Sequence, residues 1–113
     1  MTAQRENRRF RAIARKRVSL AGTISHPHAG WRVEVKITDL SLAGARLSLA
    51  SKSLTEGDRI KLALMAPTLW DPIELSAIVA WQRQDGDRVS AGVRFDSHRE
   101  EDLLQLFDVL AVS

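Results

Sequence analysis

The sequence predicts an all-β fold with a terminal helix: a small six-stranded antiparallel barrel with the helix laid against it. Three observations predict this. Apolar and polar residues alternate in six short runs, the period of a half-buried strand. Turn-forming Gly, Pro and Asp punctuate the runs, as they do in small barrels. The period then lengthens near the C-terminus, where Leu103, Leu106, Phe107 and Leu110 form one helical stripe.

Residues 1–16 read as a flexible basic arm, because they hold few apolar residues in no steady period. Residues 17–113 read as the barrel with its helix. Val18, Leu20, Gly22 and Ile24 alternate with Ser19, Ala21 and Thr23, giving a first strand at 17–25. His26-Pro27-His28-Ala29-Gly30 is a turn. Trp31, Val33, Val35 and Ile37 share one face of a second strand at 31–38, opposite Arg32, Glu34 and Lys36. A junction at Asp39–Gly44 precedes a third strand at 45–50. After a polar connection, Ile60, Leu62 and Leu64 mark a strand at 59–65. Pro67 and Pro72 bound a loop, since proline is unsuited to a central ladder. A fifth strand is expected at 73–82. The hairpin signal Asp85-Gly86-Asp87 leads to a sixth at 88–95. Ser97 and Glu100 fit a capping box for a helix at 98–111.

The chain has 113 residues, enough for one small domain, and its composition (44% hydrophobic, 27% charged) is that of an ordinary globule. It has no cysteine, which excludes disulfides and thiolate metal sites. No apolar run is long enough for a membrane span, and no leader-like segment is visible. The expected location is the cytoplasm. Net charge is only +3, but it is concentrated: residues 5–17 carry Arg5, Arg8, Arg9, Arg11, Arg15, Lys16 and Arg17 against Glu6 alone. One end of the molecule is therefore expected to meet an anion.

The junction between the second and third strands is the candidate site. It places an acid, a hydroxyl and a glycine at i, i+2 and i+5: Asp39, Ser41 and Gly44. Side chains two apart on an extended segment share a face. Gly44 permits either a positive φ or a close approach of something to the backbone. The same residues are also ordinary loop formers. The basic arm next to them favours a binding role.

These features together resemble the PilZ domain family. Asp39-Leu40-Ser41-Leu42-Ala43-Gly44 matches its [D/N]xSxxG motif, and Arg11-Ala12-Ile13-Ala14-Arg15 matches its RxxxR motif ahead of the first strand. Arg5-Glu6-Asn7-Arg8-Arg9 reads RxxxR as well, so the register stays open, with Arg11 and Arg15 preferred for their distance to the first strand. Val79-Ala80-Trp81 and Ala91-Gly92-Val93-Arg94-Phe95 are similar to late barrel strands of the family. The resemblance implies a six-stranded barrel with a C-terminal helix, and a non-enzymatic receptor for the bacterial second messenger cyclic di-GMP.

The residue chemistry suits that ligand. Arginine presents a planar fork of donors to phosphate oxygens and to the O6/N7 edge of guanine. By the resemblance, Arg11 and Arg15 are expected to contact guanine and phosphate. Asp39 would accept from guanine N1–H and N2–H2, and Ser41 would donate to a phosphate or a base edge. Gly44 would clear space for the ligand. Arg8 and Arg9 add attraction or replace a primary contact, and Arg46, just past the motif, is a further candidate. Arg5 and Arg17 read as solvated charges. The expected partners are cyclic di-GMP and an unidentified downstream protein.

Other constellations carry less. His26 and His28 supply two ligands in a turn, which is not a metal site. No nucleophile elbow accompanies Ser41. Trp31 and Trp81 sit at core-like strand positions, whereas Trp70, in the proline-bounded loop, is expected to be exposed. An adaptor that does not use the nucleotide is the alternative function. A nucleic-acid-binding barrel is disfavoured, because aromatics are 5% of the chain and most fall on core-like positions.

Overall fold

A computed structural model describes residues 16–50, 54–67, 69–97 and 100–112. Residues 1–15 of the expected arm, including Arg5, Arg8, Arg9, Arg11 and Arg15, lie outside the described residues, and Lys16, the last residue expected in the arm, is instead the first of β1 because it pairs with Leu40. Among the described residues six strands run in chain order: β1 (Lys16–His26), β2 (Trp31–Leu40), β3 (Gly44–Leu49), β4 (Arg59–Leu64), β5 (Ile73–Asp85) and β6 (Arg88–Ser97). A helix, α1 (Glu100–Val112), follows them.

The strands close into a barrel in the order β1-β2-β3-β6-β5-β4, with β1 pairing back to β4. Every pair is antiparallel. The alternation read from the sequence is the reason. Ile24, Ile37, Leu47, Leu49, Leu62, Leu64 and Leu75 point inward and are almost wholly buried. Each such side chain contributes about 1.5–3 kcal/mol on leaving water. Among the described residues no polar or charged side chain is buried, so the interior is held by apolar packing.

Most strand ends fall within two residues of expectation, and the largest difference is at the end of β5. β5 runs on to Asp85 and β6 starts at Arg88, so the hairpin ladder continues past the last apolar residue. Gln82 to Asp85 are all exposed there, and without a buried face they leave no alternation to read. Gly86 has φ 64° and Asp87 does not have positive φ, the pattern of a type II′ turn. Ser97 ends β6 opposite Ser76, and the helix is described from Glu100; the cap expected of the Ser97 side chain lies outside the described residues.

The helical stripe is rotated from the one expected. α1 packs against β5 and buries Leu106, Val109 and Leu110. Phe107 is 49% exposed and Leu104 63%. Successive residues turn about 100° around a helix, so Phe107 falls at the rim once Leu106, Val109 and Leu110 define the centre. The side chain of Leu103 lies outside the described residues. Among the described residues, no helix is long and apolar enough to cross a membrane.

Candidate functional site

Two bulges shape the site. In β2, Ile37 pairs with Leu47 and Asp39 with Arg46, which leaves Thr38 as the extra residue. In β5, Val79 pairs with Val93 and Trp81 with Gly92, which leaves Ala80 as the extra residue. A bulge interrupts the ladder and re-aims the side chain beyond it. Here the re-aimed residues are Asp39 and Trp81.

The register then aligns Arg17, Asp39, Arg46, Gly92 and Trp81 in one row across β1, β2, β3, β6 and β5. Residues directly opposite one another in a sheet present their side chains to the same face. All of this row except Arg17 lines an open cavity of about 320 Å³, together with Ser41, Gly44, Ala80 and Arg94. Arg17 is exposed and stands opposite Asp39, outside that lining.

The corner between β2 and β3 is closed by Ser41. Its N–H donates to the Gly44 carbonyl at 2.9 Å. Its hydroxyl oxygen accepts from the Ala43 and Gly44 N–H groups, each at 3.1 Å. The hydroxyl donates in turn to the Gly44 carbonyl at 3.2 Å. This is the local side-chain turn that serine favours. The Ser41 hydroxyl is thus engaged with its own corner, whereas the sequence pointed to it as a ligand donor.

Gly44 does not have positive φ. The other reason for a glycine holds: a Cβ here would collide with the Val93 carbonyl and crowd the Arg94 Cα. Gly44 therefore lets β3 pass close to β6.

Trp81 is only half-buried and lines the cavity, which corrects its reading as a core residue. Its indole covers Gly92, where a Cβ would run into Nε1, Cε2 and Cδ1. The Arg46 guanidinium lies over the Trp81 ring, 5.5 Å from the centroid, within cation–π range. Sequence reasoning did not place Trp81, Gly92 or Arg94 at the site. In-phase alternation through Val79 and Trp81 hides the bulge at Ala80. The available signal was Gly92 itself, a glycine inside a strand, which marks a close approach.

The remaining candidates lie elsewhere. Trp31 packs half-buried against the core and Trp70 is fully exposed. His26 Nδ1 accepts from the Ala29 N–H at 3.1 Å and its Nε2 is 3.7 Å from Asp58 Oδ2. Among the described residues, no three His, Cys, Asp or Glu side chains gather where a metal ion could be held.

No curated protein sequence matches the chain. Solved structures do match in shape. The Bacillus subtilis inhibitor of motility MotI superposes with a TM-score of 0.73 at 17% identity, covering 88% of this chain and 48% of its own. This chain thus spans about half of MotI's length. The PilZ domain of Escherichia coli YcgR, solved with cyclic di-GMP, gives 0.65 at 18% identity over 86% of this chain and 88% of its own. The PilZ domain of CeSA from a cellulose-synthesizing bacterium gives 0.65 at 13% identity, over 87% and 96%. At these identities the likeness concerns the fold. The family model for the PilZ domain matches residues 3–111, nearly the whole sequence, and the chain belongs to the PilZ domain family.

Proposed function

We propose that the chain is a non-enzymatic receptor for cyclic di-GMP, with the cavity at the β2–β3 corner as its seat. The observation that carries this reading is the lining itself: the Asp39 carboxylate, the Arg46 and Arg94 side chains and the Trp81 indole meet around one open cavity. A carboxylate accepts from guanine N1–H and N2–H2, and guanidinium forks suit phosphates and guanine O6. The YcgR domain, similar in fold, was solved with this nucleotide, which supports the same ligand here.

At about 320 Å³ the cavity is at the low end for a small-molecule site, so a second wall is needed. The arm ahead of β1, residues 1–15, supplies it in this reading. Lys16 pairs with Leu40 at the corner, so Arg15 is joined directly to a residue beside the site. Arg11 is four residues further back, within about 14 Å of extended chain. Both can therefore reach a ligand resting on Asp39, with Arg8 and Arg9 adding charge behind them. The arm folds over the nucleotide and bears the ordering entropy on binding. The surface it then presents relays the signal to a downstream protein.

Calorimetric titration with cyclic di-GMP tests this. Wild type is expected to bind at micromolar affinity or tighter, and Arg15→Ala and Asp39→Ala to lose binding. Equal binding in all three would move the site elsewhere. A folded wild type that binds nothing would leave the nucleotide-independent adaptor as the function.

A further inference from the structure

We propose that Arg46 determines base specificity at this site: braced on Trp81 above Gly92, its guanidinium donates to O6 of a guanine whose N1–H and N2–H2 are accepted by Asp39. The inference rests on the cyclic di-GMP reading and goes past it, to which residues select the base and what holds them.

Four observations carry it. Asp39 and Arg46 are direct cross-strand partners, and both line the cavity. The Arg46 guanidinium is held over an aromatic ring. An arginine on an open strand surface keeps many rotamers, and a ring beneath the guanidinium narrows that freedom before any ligand arrives. The ring is seated directly on Gly92, where only a residue without a side chain leaves room for it. The Trp81–Gly92 pair is also in register with Arg46, through Gly92 opposite Arg46 on β3 and opposite Trp81 on β5.

An acceptor beside a donor fork is the complement of one base edge. Guanine offers O6 as acceptor next to N1–H and N2–H2 as donors. Adenine offers an N6 amino donor next to the N1 acceptor. Against adenine, Arg46 would face a donor and Asp39 a lone pair, and neither contact could form. Arg46 and Asp39 therefore act as a reader, and Trp81 and Gly92 are positioning residues that act through Arg46. A lysine at position 46 would keep the charge but lose the fork.

The test compares cyclic di-GMP with cyclic di-AMP by displacement of a labelled nucleotide, in wild type and in Arg46→Lys, Arg46→Ala, Trp81→Phe, Trp81→Leu and Gly92→Ala. The expected preference of wild type for the guanine ligand falls by on the order of tenfold to a hundredfold in Arg46→Ala. It recovers little in Arg46→Lys. Trp81→Leu and Gly92→Ala reproduce the loss, and Trp81→Phe, which keeps a ring, restores most of it. The proposal is overturned if Arg46→Ala keeps the wild-type preference, or weakens both nucleotides by one factor, since that would be general charge attraction. It is equally overturned if Trp81→Leu discriminates as well as Trp81→Phe. Arg46 is not a core residue, so its two variants decide the matter even if a Trp81 or Gly92 variant melts early. A wild type that binds no cyclic di-GMP would end the receptor reading as well. Undiminished preference in Arg46→Ala would end this inference alone.

Discussion

Ser41 and Gly44 hold each other across the β2–β3 corner. The Ser41 N–H donates to the Gly44 carbonyl, and the Gly44 N–H donates to the Ser41 hydroxyl oxygen. The motif that marks the corner in the sequence is thus also what builds it, and in the proposed receptor binding and folding would draw on the same residues.

Ser41→Ala should show this coupling. It leaves the Ala43 and Gly44 N–H groups without their acceptor. The expected cost is about 1–2 kcal/mol, read as a lower urea midpoint at unchanged slope. Nucleotide affinity should fall with it. Unaltered stability with lost binding would instead make Ser41 a ligand contact only.

Gly44→Ala should destabilise before any ligand is added. The new Cβ meets backbone of β6, which cannot swing aside as a side chain can. Overpacking of this kind costs about 1–3 kcal/mol, seen as a lower melting temperature of the ligand-free protein. An unchanged melting temperature would contradict the close approach of β3 to β6.

The rotated helical stripe makes a paired prediction. Leu106→Ala empties a fully buried site and should cost about 2–5 kcal/mol. Phe107→Ala, on the half-exposed rim, should stay within about 0.5 kcal/mol of wild type. Denaturant titration of the two variants checks the order, and the reverse order would restore the stripe read from sequence alone.

The hairpin beyond the barrel offers a local test. Gly86 has φ 64° in a two-residue turn. Gly86→Ala should cost about 1–2 kcal/mol because an L side chain is strained there. The loss should appear as faster hydrogen exchange of the Gln82–Asp85 amides. Core amides near Leu47 should keep their protection relative to the global stability.

The strands were legible because burial on one face imposes period two, and Ile24, Ile37, Leu62 and Val93 state that period without ambiguity. The corner was legible because Asp39, Ser41 and Gly44 form a spaced motif of residue types that ordinary strands avoid. The helix was legible as a helix but not in its rotation. Leu106 and Phe107 are both apolar, and only the barrel surface decides which one it covers.

By itself, the sequence determined the six-strand pattern, the family and the acid–hydroxyl–glycine corner, because these depend on local periodicity and on residues adjacent in the chain. Only the tertiary structure decided that Trp81 faces the cavity, that Gly92 lies beneath it, and that Arg46 stands between Asp39 and Gly92. The reason is that bulges at Thr38 and Ala80 shift the register by one residue each. A one-residue shift changes which residues meet across strands while leaving the alternation along each strand almost unmarked.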